Sequence, residues 1–420
     1  MPRLLYSLFF YLLSPLLIVH LIWRGLRAPA YLARWRERFA LINLSFKIRP
    51  IWIHAVSVGE VHAARTLIRQ LRQQYPSVPI LVTTTTPTGS AQVTQLFADT
   101  VEHVYAPYDL PLVVQRFLSR VNPQLAIIME TEIWPNIFHY CATRKIPLIL
   151  ANARLSQRST NSYARFKSLI GPTLASVRTL AAQSDNDAQR FISLGALPEN
   201  TQVTGSVKFE VDLPASLHEK SEVLRRDWGI SKNIFIAAST HTGEDEIILE
   251  AYGMIRARMD NVLLVIVPRH PERFDRVAHL CEKQGYNVVR RSDDKPCKSN
   301  TDVFVGDSMG ELPLFYAASD VAFIGGSLIP HGGQNPLEAS ALGLPVFFGP
   351  HFFNFSEIRQ LLLDHNAARQ IVDADQLAHE VLECFKDVEH RQKMGEAGRT
   401  VVEANRGALS ALMNLIDRQI

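Results

Sequence analysis

A chain of 420 residues is long enough for two domains with sizeable cores. With 47% hydrophobic and 20% charged residues, it is neither a disordered chain nor, beyond its first apolar run, a polytopic membrane protein; a net charge of +3 does not indicate a nucleic-acid partner. The four cysteines lie far apart, without the close pairs that bind zinc or exchange disulfides, which favours a reducing compartment.

The first predicted element is an apolar helix from Leu4 to Trp23 that carries no charge inside it. A run of ~20 apolar residues is what a helix needs to cross a hydrocarbon core. Arginines rather than a small-residue cleavage site follow the segment, so a retained membrane anchor is favoured over a signal peptide, while a buried core helix stays open. The positive-inside rule then places the rest of the chain in the cytoplasm.

A basic stretch follows the apolar helix, in which Glu37 is the single acid among Arg24, Arg27, Arg34, Arg36, Arg38, Lys47 and Arg49. Such a stretch next to an apolar segment predicts contact with an anionic membrane surface. Within it, residues 34–39 are expected to form a helix that lies on the lipid head groups.

After Pro50 the sequence alternates short apolar strands with amphipathic helices, a pattern typical of parallel sheets covered by helices. The predicted strands are 51–56, 80–85, 103–106, 125–129, 148–151 and 179–182, then 234–238, 262–267, 287–289, 303–306, 321–324, 346–348 and 369–372. A polar, proline-bearing stretch at 211–221 predicts a linker between domains.

The predicted organisation is therefore a membrane anchor at 1–26, a first domain at 27–210, the linker at 211–221 and a second domain at 222–420. Both domains are expected to be α/β, Rossmann-like and doubly wound, and to face a cleft. In such sheets ligands bind beyond the carboxyl ends of the strands, so the residues that follow each strand are the first candidates for a site.

The segment Ser57-Val58-Gly59-Glu60 follows the first predicted strand and opens the first long helix of the body. A carboxylate at this place could act as a general base. The Ser-x-x-Glu spacing is also that of a capping box, with Ser57 as N-cap. A helix N-terminus would hold Glu60 ionised and lower its basicity, and both interpretations stay open.

The same spacing recurs at 308–311 and 335–338, where capping is the first interpretation. Gly332-Gly333 precedes a helix that Pro336 is expected to begin, and such glycines let a backbone approach a phosphate or a ribose. Arg269, after an apolar strand, is either a phosphate clamp or part of a surface loop. The sequence has no Walker loop and no Gly-x-Gly-x-x-Gly after the first strand, so NTP hydrolysis and nicotinamide chemistry are not indicated.

Three further candidates are weaker from the residues alone. Glu130 and Glu132 follow a predicted strand and could be first-turn acids of a helix. Lys208 has the character of a solvated surface lysine. The segment 185–187 matches the Asp-x-Asp pattern of metal-dependent sugar transfer, but its place at a helix start favours capping, and the histidines show no metal-ligand spacing.

Taken together, a set of ordered segments resembles one family over nearly the whole chain. The segments are SVGE at 57–60, TTTTPTGS at 83–90, METEIWPN at 129–136, ANARLS at 151–156, TGSVKF at 204–209, VPRHPERF at 267–274, VGDSMGEL at 305–312, IGGSLIPHGGQNPLE at 324–338 and GPHFFNF at 349–355. The chain resembles the Kdo (3-deoxy-D-manno-octulosonic acid) transferases of lipopolysaccharide assembly, glycosyltransferase family 30.

The resemblance implies a GT-B fold and an inverting transfer of Kdo from CMP-Kdo to the glucosamine disaccharide of the lipid A precursor, with no metal and no cofactor. It implies that Glu60 is the general base and that Glu130 and Lys208 stabilise the transition state. It implies donor contacts at Pro268, Arg269, Met309, Gly310, Glu311, Asn335, Pro336, Leu337 and Glu338.

The same resemblance implies a place on the cytoplasmic face of the inner membrane of a Gram-negative bacterium. The expected partners are the CMP-Kdo donor, the lipid A precursor and an anionic membrane, without nucleic acid or an obligate protein partner. The alternatives are another GT-B nucleotide-sugar transferase or epimerase that uses a different nucleotide, and a membrane-tethered scaffold that binds nucleotide without turnover.

Overall fold

The computed structural model describes residues 2–27 and 29–420, so Met1 of the predicted anchor and Ala28 of the predicted first domain lie outside the described residues, as do the side chains of Leu17 and Arg27. The chain divides into two compact units. The first comprises residues 1–210 and 406–420, and the second comprises residues 211–405.

In the described part of the first unit, the strands form a seven-stranded parallel sheet in the order β3-β2-β1-β4-β5-β6-β7. The strands are β1 (Ile51–His54), β2 (Ile80–Thr84), β3 (Glu102–Tyr105), β4 (Leu125–Met129), β5 (Leu148–Ala153), β6 (Thr179–Ala182) and β7 (Thr201–Val203). The inner strands are buried along their whole length because helices cover both faces. The chain order reverses between β1 and β4, and the carboxyl ends of these two strands are therefore the place where a ligand is expected.

The helices of the first unit are α1 (Pro2–Arg27), α2 (Val58–Gln74), α3 (Pro87–Phe97), α4 (Pro111–Val121), α5 (Pro135–Thr143), α6 (Gln157–Ala164), α7 (Lys167–Ala175) and α8 (Asp185–Leu194). Helices α3, α4 and α5 each begin with a proline, whose missing N–H costs nothing at the first helical position. Strand β7 is absent from the sequence prediction, because it has three residues and is half-exposed.

The second unit repeats the plan in its described residues, with a parallel sheet in the order β10-β11-β9-β8-β12-β13-β14. Its strands are β8 (Asn233–Thr240), β9 (Val262–Pro268), β10 (Val288–Arg290), β11 (Val303–Val305), β12 (Val321–Ile324), β13 (Val346–Phe348) and β14 (Ala368–Gln370). Its helices are α9 (Leu217–Trp228), α10 (Asp245–Arg256), α11 (Phe274–Lys283), α12 (Leu312–Ala317), α13 (Leu337–Ala341), α14 (Ser356–Asp364), α15 (Ala374–Lys386) and α16 (Val388–Ala404).

The last helix, α17 (Ala408–Asp417), belongs to the first unit and not to the second. Its buried residues Leu412, Met413 and Ile416 join the hydrophobic cluster that lies between α2 and the first sheet. The prediction of a second domain over 222–420 is therefore wrong at its carboxyl end. The predicted linker is also partly structured, since α9 begins at Leu217 within it.

Helix α1 is the one helix of residues 2–27 and 29–420 that is long and apolar enough to cross a membrane, judged by length and composition. Its first turns are docked on the first unit through polar side chains. The Tyr6 hydroxyl donates to the Asp109 carboxylate (3.0 Å), and the Ser7 hydroxyl donates to the Asn136 carboxamide oxygen (3.0 Å). The Tyr11 hydroxyl accepts the N–H of Leu112 (3.2 Å).

The expected interfacial helix at residues 34–39 is instead a short 3-10 turn, Trp35–Phe39, packed on the first unit. Arg38 is 5% exposed, donates to the Thr85 carbonyl (2.9 Å) and stacks on the Tyr105 ring at 4.2 Å. The predicted basic surface is thus smaller than the sequence indicates, because this arginine is used inside the unit.

Candidate active site

Glu60 lies in the first turn of α2, just beyond the carboxyl end of β1, and is 8% exposed. Its carboxylate accepts hydrogen bonds from the N–H of Val56 (2.8 Å) and from the Ser57 hydroxyl (3.2 Å). Ser57 is the N-cap residue, but its side chain caps no N–H and Glu60 reaches past it to Val56, so the expected capping box does not form.

Burial raises the pKa of Glu60 to about 8, in spite of the two hydrogen bonds that oppose the shift. The charges of Glu132 and Glu130 push the pKa in the same direction as burial. The expectation that the helix N-terminus holds this carboxyl ionised is therefore wrong, because removal from water outweighs the hydrogen bonds that favour the ionised form.

Glu130 directly follows β4 and joins two cations. Its Oε1 lies 3.3 Å from Nζ of Lys208, and its Oε2 lies 3.0 Å from Nε of Arg154. The backbone at Glu130 has a φ of 55°, in the left-handed region that non-glycine residues rarely adopt. Since the Glu130 charge acts on Glu60, the three residues to which the resemblance assigns chemistry lie together at one edge of the first sheet.

Glu132 completes the carboxylates at this edge. Its Oε2 accepts the indole N–H of Trp134 (2.9 Å), and burial raises its pKa, with a further contribution from the charge of Glu130. Three acidic groups and two basic groups therefore share a half-buried site. Such crowding of titratable groups is typical of catalytic sites.

Lys208 lies in a short 3-10 turn, Val207–Phe209, which follows β7. Asn152 holds that turn, because its side-chain oxygen accepts the N–H of Val207 (3.2 Å). Asn152 is 1% exposed and, like Glu130, has a left-handed backbone, with a φ of 53°. The carboxyl end of β5 thus positions the turn that carries Lys208, although the two segments are far apart in the sequence.

The Asp-x-Asp segment 185–187 makes hydrogen bonds with backbone groups. Ser184 is the N-cap of α8 and accepts the N–H of Asp187 (3.2 Å). Asp187 is buried and accepts the N–H of Leu155 (2.8 Å), which follows β5. The residue that caps α8 is therefore Ser184, and Asp187 fixes the segment that carries Arg154.

The predicted donor residues lie at strand ends of the second unit. Pro268 is the last residue of β9, and the N–H of Arg269 donates to the carbonyl of Thr240 at the end of β8 (3.0 Å). The Arg269 side chain is half-buried. An arginine between two adjacent strand ends is well placed to bind an anion there.

A buried carboxylate holds the neighbouring loop. Glu244 is fully buried and accepts four backbone N–H groups, from His241 (3.0 Å), Gly326 (2.6 Å), Ser327 (2.8 Å) and Leu328 (3.0 Å). These bonds fasten the loop after β12 to the loop after β8. Glu244 therefore acts as a structural clasp of this edge of the second sheet.

Glu311 is bound by side chains rather than by a capping box. The Arg291 guanidinium donates to both of its oxygens, each at 3.0 Å, and the Ser308 hydroxyl donates at 2.6 Å. The hydrogen bonds from Arg291 lower the pKa of Glu311, which keeps it ionised. The capping interpretation of 308–311 is wrong, since Glu311 is itself the N-cap of α12 and Ser308 caps no N–H.

Met309 and Gly310 form the exposed tip of the same loop. Met309 is 53% exposed, and Gly310 has a φ of 83° with open space around its α-carbon. The loop therefore presents a free surface next to an ionised carboxylate, which suits a ligand with hydroxyl groups.

The segment 332–338 differs from its predicted form. Leu337 begins α13, which is only five residues long, and Pro336 is its N-cap; Asn335 accepts the N–H of Leu337 through its side-chain oxygen (3.1 Å). Leu337 is buried and Glu338 is half-buried. The Phe352 ring fills the space in which a Cβ at Gly333 would lie, so this glycine permits close packing inside the unit.

Three histidines from three segments meet beside these residues. The rings of His241 and His331 are 4.0 Å apart, those of His241 and His270 are 5.4 Å apart, and Gln334 contacts Nε2 of His241 at 3.1 Å. Burial, then the neighbouring histidines and arginines, lower the pKa of His241 to about 4. This imidazole is therefore uncharged near neutral pH.

Comparison with known proteins identifies the family. The model described as 3-Deoxy-D-manno-octulosonic-acid transferase (kdotransferase) matches residues 33–211, and that described as Glycosyl transferases group 1 matches residues 231–401. The chain is 42% identical to the 3-deoxy-D-manno-octulosonic acid transferase of Haemophilus influenzae, over 99% of this chain and 98% of that protein. The chain belongs to the Kdo transferase family.

A second relative of the Kdo transferase family, from Bordetella pertussis, is 35% identical over 94% of this chain and 89% of its own length. The prediction of a Kdo-transferring glycosyltransferase is confirmed. Among solved structures, a UDP-GlcNAc 2-epimerase from Neisseria meningitidis has a TM-score of 0.57 at 13% identity, over 88% of this chain and all of that one. That likeness concerns the fold, and the prediction of two doubly wound α/β units is confirmed.

Sequence reasoning missed three residues of this Kdo transferase that shape its strand-end sites, namely Arg154, Arg291 and Glu244. Arg154 lies in the segment ANARLS, and its position directly after a strand was a usable signal. Arg291 and Glu244 act on residues far away in the sequence, so no local pattern pointed to them.

Proposed function

We propose that this enzyme transfers Kdo, with inversion, from CMP-Kdo to the glucosamine disaccharide of the lipid A precursor and releases CMP, in lipopolysaccharide assembly. The observation that carries the proposal is the buried carboxylate of Glu60 beside the ion pair of Glu130 and Lys208. Membership of the Kdo transferase family supports the sugar that is transferred.

Glu60 serves as the general base. The acceptor hydroxyl oxygen forms a bond to the anomeric carbon of Kdo, its proton passes to the Glu60 carboxylate, and the bond to the CMP phosphate oxygen breaks with its electron pair on CMP. A pKa of about 8 makes Glu60 a much stronger base than an ordinary carboxylate, and close to the pKa that proton transfer near neutral pH requires.

Lys208 and Glu130 stabilise charge in the transition state. The Glu130 carboxylate orients the Lys208 ammonium at 3.3 Å, and Lys208 uses its remaining N–H groups on the anionic oxygens of the donor. Asn152 fixes the backbone turn that carries Lys208, so this turn does not have to rearrange during the reaction.

The second unit supplies the donor contacts. Arg269 pairs with the CMP phosphate, and the ionised carboxylate of Glu311 accepts hydroxyl groups of the nucleotide. Support comes from the place of Arg269 between two strand ends and from the three hydrogen bonds that aim Glu311. The remaining donor contacts are Pro268, Met309, Gly310, Asn335, Pro336, Leu337 and Glu338.

Helix α1 attaches the enzyme to the cytoplasmic face of the inner membrane and lies along its surface. One face of the helix exposes Leu5, Leu8, Leu12, Leu16 and Val19, each between 57% and 70% exposed. The opposite face bonds to the first unit through Tyr6 and Ser7. A helix whose first turns are docked on a folded unit along one side suits a position in the interface, with its apolar face towards the acyl chains.

The test is transfer in vitro. Purified protein in detergent is incubated with CMP-Kdo and tetraacylated lipid A precursor, and the mass of the lipid product is measured by mass spectrometry. The expected result is a mass increase by whole Kdo residues, whose number counts the transfers, with release of CMP. No increase with CMP-Kdo, together with turnover of a UDP-sugar, contradicts the proposal.

A further inference from the structure

Arg154 has no part in the reaction as proposed, although it lies against Glu130. Each oxygen of the Glu130 carboxylate carries one cation, Lys208 on one and Arg154 on the other. One negative charge therefore faces two positive charges, and these three side chains together carry an excess of positive charge, beside the carboxyl groups of Glu60 and Glu132, whose pKa values burial raises. Such an arrangement attracts an anion to the two cations.

The Arg154 guanidinium has unused donors. It contacts Glu130 through Nε, and no hydrogen-bond partner for Nη1 or Nη2 occurs within residues 2–27 and 29–420. Its side chain is 39% exposed, compared with 11% for Glu130. The two terminal nitrogens form a planar fork that matches the two oxygens of a carboxylate or a phosphate.

The backbone of Arg154 is anchored on both sides. Its carbonyl accepts the hydroxyl of Thr131, and the N–H of the next residue, Leu155, donates to the buried carboxylate of Asp187 (2.8 Å). With Nε fixed on Glu130 as well, the direction of the fork is set before any ligand arrives. Preorganisation of this kind lowers the entropic cost of binding.

We infer that Arg154, together with Lys208, binds the carboxylate of the Kdo sugar and so selects a donor that carries a sugar acid. This rests on the proposed function. In a 2-ulosonic acid such as Kdo, the carboxylate is bonded directly to the anomeric carbon that is attacked. The acceptor oxygen lies between that carbon and Glu60, whereas in an inverting displacement the phosphate leaves on the opposite side. The two cations bound to Glu130, whose charge acts on Glu60, lie on the acceptor's side of that carbon and therefore meet the carboxylate.

The experiment compares a donor that has the carboxylate with a ligand that lacks it. The Michaelis constant for CMP-Kdo and the inhibition constant of CMP are measured for wild type, R154Q and R154K. R154Q is expected to raise the Michaelis constant about 10–100-fold, because a hydrogen-bonded charge is lost. R154K keeps the charge without the fork and is expected to raise it less. CMP inhibition stays within a factor of about two in both variants, because CMP has no carboxylate.

The matched control is R158Q, four residues further along the chain in the first turn of α6, where the residue is exposed; it leaves both constants unchanged. An unchanged Michaelis constant in R154Q overturns the inference, and so does a parallel weakening of CMP, which would assign Arg154 to the phosphate. If R154Q lowers the thermal midpoint of unfolding, the inference is judged on R154K, by comparing its Michaelis constant for CMP-Kdo with its inhibition constant for CMP. A wild-type enzyme that transfers no Kdo contradicts the proposed function itself, which separates the two failures.

Discussion

The ammonium nitrogen of Lys208 lies 3.3 Å from Oε1 of Glu130, although the two residues come from the ends of different strands, β7 and β4. A substitution of either residue therefore also changes the charge environment of the other. Removing Lys208 leaves Glu130 with one cation in place of two, and removing the Glu130 charge leaves two cations facing each other. The pair therefore has to be tested as a unit.

K208M and E130Q are each expected to lower kcat about 100-fold or more, because each removes part of the preorganised charge. The double variant is expected to lose much less than the product of the two effects, since partners in one network are not additive. Steady-state kinetics of the four proteins measure this coupling. K167M, at an exposed lysine of α7, is the control and keeps wild-type kcat. Strictly multiplicative losses would contradict a shared role.

The transfer rate is expected to depend on pH through Glu60. Burial raises its pKa to about 8, so the carboxyl is largely protonated at pH 6 and becomes a competent base as the pH rises. The value of kcat/KM for the acceptor should increase about tenfold per pH unit below 7 and level off above 8. A pH profile measured with saturating CMP-Kdo tests this. A profile that is flat from pH 5 to 8 would show that no group of this kind controls the reaction.

E60Q is expected to be inactive and yet more stable than wild type at pH 8. The folded-state pKa of Glu60 lies above its unfolded value, so the stability that it contributes is present below about pH 4.5 and is lost as the pH rises through 8. Glutamine cannot ionise, and its amide can accept the Val56 N–H and donate to the Ser57 hydroxyl.

Thermal unfolding at pH 5 and pH 8 measures this difference. The gain in thermal midpoint of E60Q over wild type should be larger at pH 8. A gain of equal size at both values would contradict a raised pKa. Intact CMP-Kdo binding by E60Q shows that its inactivity is not a loss of the donor site, whereas transfer at the wild-type rate would refute the role of Glu60 as base.

The architecture could be predicted from the sequence because its strands carry a strong local signal. Strands such as β4 and β9 are uninterrupted apolar runs, which only a sheet covered on both faces accommodates. The half-exposed β7 has no such signal. Helix α17 is absent from the sequence prediction, and its amphipathic pattern does not say which sheet it covers; it packs with α2 rather than in the second unit.

The sequence could predict those site residues that directly follow a predicted strand, but not the contacts that they make in the fold. Strand ends pointed to Glu60 and Glu130, but the pKa of Glu60 depends on burial, which spacing alone cannot show. The Ser-x-x-Glu spacing at 308–311 predicted a helix cap, whereas Glu311 accepts hydrogen bonds from Arg291, which lies in another segment. Long-range polar pairs of this kind leave no local pattern.

The clasp formed by Glu244 gives a prediction about stability. In E244Q an amide NH₂ replaces one of the two oxygens, so at least one of the buried N–H groups of Gly326 and Ser327 faces a donor. The expected cost is about 2–5 kcal/mol, because buried donors lose their partner and the remaining charge interactions are lost. Denaturant unfolding measures it. E246Q, at an exposed position in the next turn, should change stability by less than about 0.5 kcal/mol.

Arg269 should behave differently from Arg154. Its proposed partner is the phosphate, which CMP and CMP-Kdo share, so R269A is expected to weaken both ligands about 10–100-fold. The backbone N–H of Arg269, which bonds to Thr240, is unaffected by the substitution, and the thermal midpoint should stay at the wild-type value. Calorimetric titration with CMP, with R276A on the exposed side of α11 as the control, tests this directly. Unchanged CMP affinity in R269A would show that the phosphate does not bind at this strand end. His270 and Glu311 would then be the next groups to test.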